Sequence, residues 1–248
     1  MVRTVTRDGV MRIVRTVLEC GRSCRARRRR TREGVGRRQT CGVAYSGGVE
    51  LVLAWQRVAS WLQRNAPASH AALMASSGRD IRALEGHLGY PLPTALRDWF
   101  ATVGGTSTLT FAAQVLPAQV VLTASAAQKE SASKRSVWIA GPDRGVDELL
   151  ESAGQQPAGG MAWGWLPTFV PIGIDGAGGG YVVDLQPGPL RGCVKQFCRD
   201  DGALYPPVWR GVDELLDDVA ESLESGRSCH RFRPAVDTSG QLRWHLAD

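Results

Sequence analysis

The sequence predicts a helical N-terminal half followed by an antiparallel meander, a helix and a hairpin, and three observations carry that expectation. Apolar residues recur at helical spacing between Val49 and Phe100. Three strand-like runs broken by Gly and Pro follow between Phe169 and Cys198, and one strong amphipathic helix with a terminal hairpin closes the chain. With 248 residues and 43% hydrophobic side chains there is ample material for a core.

Residues 1 to 48 differ from the rest. They hold 13 Arg against Asp8, Glu19 and Glu33, a local net charge of +10, so the formal +6 of the whole chain conceals a body at −4. Apolar residues are too sparse there to offset ordering costs of ~1–2 kcal/mol per residue, and we expect a disordered basic leader. Two readings of it stand: an arm for nucleic acid or an anionic surface through Arg25 to Arg30, or translation from a start placed too far upstream, with Met11 and Val49 as alternatives. The second carries more weight, because helical periodicity begins abruptly at Val49. Nucleic-acid binding is therefore not expected of the body, whose own charge is mildly acidic.

The first helix runs from Val49 to Asn65, with Val52, Trp55, Val58, Ala59 and Leu62 on its inner stripe and Pro67 beyond its end. Ser77, with Asp80 three residues on, caps a second helix whose stripe is Ile81, Leu84 and Leu88 and whose left-handed stop is Gly89. Pro91-Leu-Pro93 starts a third, buried through Leu96, Trp99 and Phe100 and ended by Gly104-Gly105. Leu109 to Phe111 and Val120 to Thr123 read as short strands. Ser125 to Arg135 is ambiguous between loop and weak helix, Val146 to Ser152 carries a brief apolar pattern, and Ala153 to Gly160 is a loop. Phe169 to Ile174, Tyr181 to Leu185 and Cys193 to Cys198 are spaced as an antiparallel meander. Gly211 to Gly226 is the clearest helix, with Val212, Leu215, Leu216, Val219 and Leu223 inside. Arg231 to Val236 and Gln241 to Leu246 form the closing hairpin.

Several function classes find little support. No stretch approaches the ~20 apolar residues of a membrane span, and arginines at 3, 7, 12, 15 and 22 leave no signal-peptide core, so we expect a cytoplasmic protein without a membrane. Three lysines against 27 arginines suggest a GC-rich coding sequence and a bacterial source. Cysteines at 20, 24, 41, 193, 198 and 229 lack CxxC spacing, and neither disulfides nor a metal site is expected, Cys20, Cys24 and Cys41 having no fourth ligand nearby. The glycines at 173, 176, 178, 179 and 180 lead into a strand rather than a helix N-terminus, which makes a hairpin loop of them and not a phosphate loop. His70, His87, His230 and His245 stand in no catalytic motif. We expect no enzyme and no cofactor, with an unrecognised hydrolase as the alternative, since triad partners meet in space.

Candidate contact residues remain. Trp163 and Trp165 flank Gly164, so in an extended segment both rings share a face, either covering the core edge or exposing an anchor. Asp184 is a carboxylate in an apolar strand and must be paired; a structural hydrogen bond is favoured over a ligand contact. Glu85 reads as a helix-surface or loop-tethering carboxylate. Asp147, Glu148 and Glu151, then Asp213, Glu214, Asp217, Asp218, Glu221 and Glu224, make acidic faces that are ordinarily just solvated but suit a basic partner.

The pattern Ile81, Leu84, Glu85, Leu88, Gly89, Leu92, Pro93, Leu96, Trp99, Gly104, joined by Trp165, Pro167, Asp184, Leu185, Gly188 and Gly192, resembles the SUKH superfamily, which holds the yeast Smi/Knr cell-wall regulators and many bacterial toxin-immunity proteins. The likeness covers Trp55 to Gly226. It implies an α+β fold with a central mixed, largely antiparallel sheet flanked by helices over 49–248, and a non-enzymatic protein-binding role. The partner it suggests is a toxin, such as a basic nuclease, met through an interface of roughly 1,200–2,000 Å². A regulatory scaffold is the alternative. Val103 and Gly180 replace polar residues common in the family, which argues against a small-ligand pocket, and the stretch from Ser125 to Gly160 has no clear counterpart.

Overall fold

Capping and apolar spacing set the helices in the order expected. The computed structural model describes residues 47–106, 113–139, 151 and 154–247, all within one unit, Tyr45–Asp248. The leader through Ser46 with its three cysteines, the Leu109 to Phe111 strand, and the Val146 to Ser152 pattern apart from Glu151 lie outside those residues, as do Asp147 and Glu148.

Helix α1 (Gly47–Asn65) starts two residues earlier than expected. Its buried stripe is Leu51, Ala54, Val58 and Leu62, so Val52, Trp55 and Ala59 are only half-buried. The stripe keeps the expected period but is shifted by about one position, because Val58 and Leu62 satisfy both stripes and the smaller Ala54 takes the closest approach. A short α2 (Pro67–Ala71) follows, then β1 (Leu73–Met74). Helix α3 (Gly78–Leu88) carries the expected reciprocal cap: Ser77 accepts from the Asp80 backbone N–H at 3.1 Å, the Ser77 backbone N–H donates to the Asp80 carboxylate at 3.3 Å, and Gly89 turns left-handed with φ 84°. Pro93 is the residue before helix α4 (Thr94–Thr102), whose Leu96, Trp99 and Phe100 are buried.

Gly104 and Gly105 do more than stop α4. Gly104 has φ 66°, and a Cβ there would lie 1.9 Å from the Met74 carbonyl oxygen; this is the close approach that lets β2 (Gly105–Thr106) pair antiparallel with β1. Strand β3 (Val120–Val121) leads to helix α5 (Ala124–Ile139), which resolves the ambiguous Ser125 to Arg135 segment as a helix.

Strands β4 (Phe169–Ile174), β5 (Gly180–Asp184), β6 (Val194–Cys198) and β7 (Gly202–Ala203) complete a five-stranded sheet in the order β3-β4-β5-β6-β7, every pairing antiparallel. Helix α6 (Val212–Ser225) packs mainly on α1, and the hairpin of β8 (Phe232–Val236) and β9 (Leu242–Leu246) closes the chain. The fold is α+β, as expected, with a wholly antiparallel central sheet.

Alternation along the strands divides the core into two layers. Val170, Ile172, Tyr181, Val183 and Val194 face helices α1, α3, α4 and α6. Phe169, Val182 and Phe197 face the opposite way, under Trp165, Leu166 and Trp138 of α5. This second layer positions the candidate residues.

Candidate partner-binding surface

Two charged side chains lie at the base of the second layer. Asp184 on β5 and Lys195 on β6 alternate to the same face of the sheet as Phe169 and Phe197, and both are wholly buried. Asp184 accepts hydrogen bonds from the Gly159 backbone N–H at 2.9 Å and from that of Gln186 at 3.0 Å. The Lys195 ammonium sits 3.9 Å from the same carboxylate, 5.6 Å from the centroid of the Phe169 ring, and donates to the Gly160 carbonyl. Burial pushes the Lys195 pKa below the usual lysine value, against the opposing pull of Asp184. Together the pair clasps a strap, residues 157–167, onto the sheet. Asp184 thus takes the structural role favoured for it, and the buried Lys195 went unnoticed in the sequence. Its signal was there to read: one of only three lysines, within the strand run Val194 to Phe197.

The strap separates the two tryptophans. Trp165 is 3% exposed and meets Phe169 and Phe197 edge-on, with ring centroids at 6.0 and 5.1 Å. Trp163 is 52% exposed. The expectation that both rings share a face is corrected: the chain bends at Trp163 and Gly164, so the two-residue alternation that an extended segment would impose does not carry through. Trp165 is a core residue, and Trp163 presents its indole outward.

The other carboxylates are largely engaged from within. Glu85 on α3 accepts from the Leu92 backbone N–H at 2.9 Å and from Arg97 at 2.6 Å, tying α3 to the start of α4. The Arg97 hydrogen bond first, then that of Leu92, holds its carboxyl below the ordinary glutamate value. Asp218 accepts from the Trp209 indole at 3.0 Å, the Cys229 thiol at 3.1 Å and Arg227 at 2.7 Å. Burial alone would raise its pKa, but these three donors outweigh it and hold the carboxyl low. Asp218 is therefore an internal knot joining α6 to the segment that follows it. Asp217 is exposed and pairs with Arg57 of α1 at 3.3 Å, while Glu224 meets the same guanidinium at 2.6 Å. Partial burial raises the Asp217 carboxyl in spite of Arg57. Two arginines, Arg57 and Arg227, thus neutralise part of the acidic face of α6, with Arg227 also reaching Glu221 at 2.6 Å.

A shallow cleft between α5 and the sheet, lined by Glu130, Lys134, Trp165, Gly173, Gly180 and Phe197, has a cavity volume of about 10 Å³. That is room for about one water molecule, far below the ~300–1,000 Å³ of small-molecule sites. Among the described residues no group of three or more His, Cys, Asp or Glu side chains is arranged to hold a metal ion, and no helix is long and apolar enough to cross a membrane.

A comparison with curated proteins finds no match. The family model described as SMI1 / KNR4 (SUKH-1) matches residues 76–218, more than half of the chain, from the cap of α3 to Asp218 on α6. That span takes in the Glu85 tether, the clasp of Asp184 and Lys195, the two tryptophans and all five strands of the central sheet, and on it the chain belongs to the SMI1 / KNR4 family (SUKH-1).

Proposed function

We propose that the protein is a non-enzymatic protein-binding domain, acting as an immunity-type inhibitor of a bacterial toxin inside the cytoplasm. The observation that carries this reading is the exposed indole of Trp163 on a strap that two buried charges hold in place. Buried charges are costly in isolation, and here their hydrogen bonds go to backbone rather than to a reacting group. A large aromatic ring held rigidly at the surface is the kind of side chain that dominates binding energy at protein interfaces. Membership of a family that includes immunity proteins supports the same reading.

The test is co-expression in a bacterial host with the product of the adjacent open reading frame. If that product arrests growth alone, the full chain should restore growth and co-purify with it, and Trp163→Ala should weaken the complex. Growth arrest that the full chain leaves untouched would remove the toxin-inhibitor reading. A stable complex without rescue would favour a regulatory scaffold.

A further inference from the structure

Four of the ten exposed large apolar side chains among the described residues come from three segments in mutual contact: Met161 and Trp163 on the strap, Leu190 on the β5–β6 hairpin, and Tyr205 just after β7. The strap and β7 are joined by an antiparallel bridge between Ala162 and Ala203. A Cβ on Gly159 would lie 2.9 Å from a Leu190 methyl and 3.4 Å from the Pro207 ring, which brings the hairpin and the post-β7 segment to the same place. Gly202 lies against the Trp163 backbone, 2.8 Å from its Cα to the position a Cβ would take, and offers no side chain to cover the indole. Isolated exposed apolar residues are normal; a group drawn from three adjoining segments points to a contact surface.

Charge says what kind of partner it fits. Asp200 and Asp201 precede Gly202 directly, are exposed, and have no ion pair among the described residues. Of the nearby arginines, Arg191 donates to the Leu185 carbonyl, and the aliphatic chain of Arg199 lies against Gly178 on the β4–β5 hairpin. An exposed indole and two exposed carboxylates carried by adjoining segments suit an arginine, which can stack on a ring and offer its planar fork to carboxylate oxygens. We infer that the rim of Met161, Trp163, Leu190 and Tyr205, bordered by Asp200 and Asp201, is the docking surface for an arginine-bearing segment of a protein partner. This rests on the protein-binding reading above and gives it a location, away from the outer face of α6.

The experiment uses the full chain labelled with ¹⁵N and two short peptides, Gly-Arg-Leu-Arg-Gly and Gly-Glu-Leu-Glu-Gly. The arginine peptide should shift the Trp163 indole N–H resonance saturably and the glutamate peptide should not. Trp163→Ala, followed through the backbone resonances of residues 200–205, and the double change Asp200→Lys with Asp201→Lys should each weaken binding by about tenfold or more, whereas Asp217→Lys on α6 should leave it unchanged. Equal response to both peptides, or indifference to the rim variants, overturns the inference. So does a dimer in sedimentation that Trp163→Ala dissolves, which would assign the rim to a second copy. Failure of toxin neutralisation with the peptide result intact would leave this surface standing and remove only the inhibitor role.

Discussion

Replacing Asp184 tests whether the buried clasp is structural. Three groups converge on its carboxylate: two backbone N–H donors at 2.9 and 3.0 Å and the Lys195 ammonium at 3.9 Å. The distances rank them. The N–H groups are within hydrogen-bond reach, and the ammonium is near enough only for a charge–charge contribution. Asp184→Ala removes all three partners' acceptor and leaves a buried cation whose remaining oxygen contact is the Gly160 carbonyl. Breaking one side of a buried pair typically costs about 3–5 kcal/mol. For a unit of this size each kcal/mol moves the midpoint by roughly 2–4 °C, so a fall of about 6–20 °C is expected in thermal unfolding followed by circular dichroism. Lys195→Met should cost less, because Asp184 keeps both backbone donors while the thioether fills much of the lysine stem's volume. Added to Asp184→Ala, Lys195→Met should recover part of the loss by removing the stranded charge. A loss below about 1 kcal/mol for Asp184→Ala, or a larger loss for Lys195→Met, would refute the ranking.

Other expectations follow from single contacts. Gly104→Ala should cost about 3 kcal/mol or more in denaturant melts, since its Cβ would strike the Met74 carbonyl at 1.9 Å with φ at 66°, whereas Gly86→Ala, at an open position inside α3, should stabilise by about 0.5–1 kcal/mol. The Glu85 carboxyl is held low in the fold, so its contribution is fully present above the ordinary glutamate range and is lost as pH falls through the lowered folded value; Glu85→Gln should flatten the acid limb of a stability–pH curve, and an unchanged limb would contradict the tether. Burial pushes the Cys193 thiol up to about 11 and raises that of Cys229, so alkylation of the native protein at pH 8, mapped by mass spectrometry, should mark the half-buried Cys198 well before either.

Most of the fold was legible because its signals were local. The Ser77 and Asp80 cap, the Gly89 and Gly226 stops and the stripe of α6 each lie within a dozen residues, and they appear where expected. Helix α5 was ambiguous for a physical reason: Ala124, Ala127 and Ser131 are among its buried residues, so close packing replaces the large apolar stripe that periodicity detects. Strands of two residues, such as β1 and β7, are too short to show alternation at all. The site was legible only in part. Asp184 announced itself as a carboxylate among apolar neighbours, but its donor Gly159 lies 25 residues away, and the group around Asp218 is assembled from α6, Trp209, Arg227 and Cys229. Nothing local in the sequence distinguishes Trp163 from Trp165.

Their difference explains how the clasp and the surface depend on each other. Trp165 and Leu166 bury the C-terminal end of the strap against Phe169, and Asp184 and Lys195 satisfy the Gly159 N–H and Gly160 carbonyl near its N-terminal end, so the strap is anchored to the sheet at both ends. Between those anchors Ala162 bridges to Ala203, which leaves Met161 and Trp163 beside it little freedom except to face solvent. A flexible loop would have to lose conformational entropy to present an indole to a partner, whereas a strap tied at several points has met that cost on folding. The buried pair is therefore worth keeping even where an apolar pair would be as stable. It fixes where Trp163 stands relative to Asp200 and Asp201, and that spacing is what an arginine-bearing partner would read.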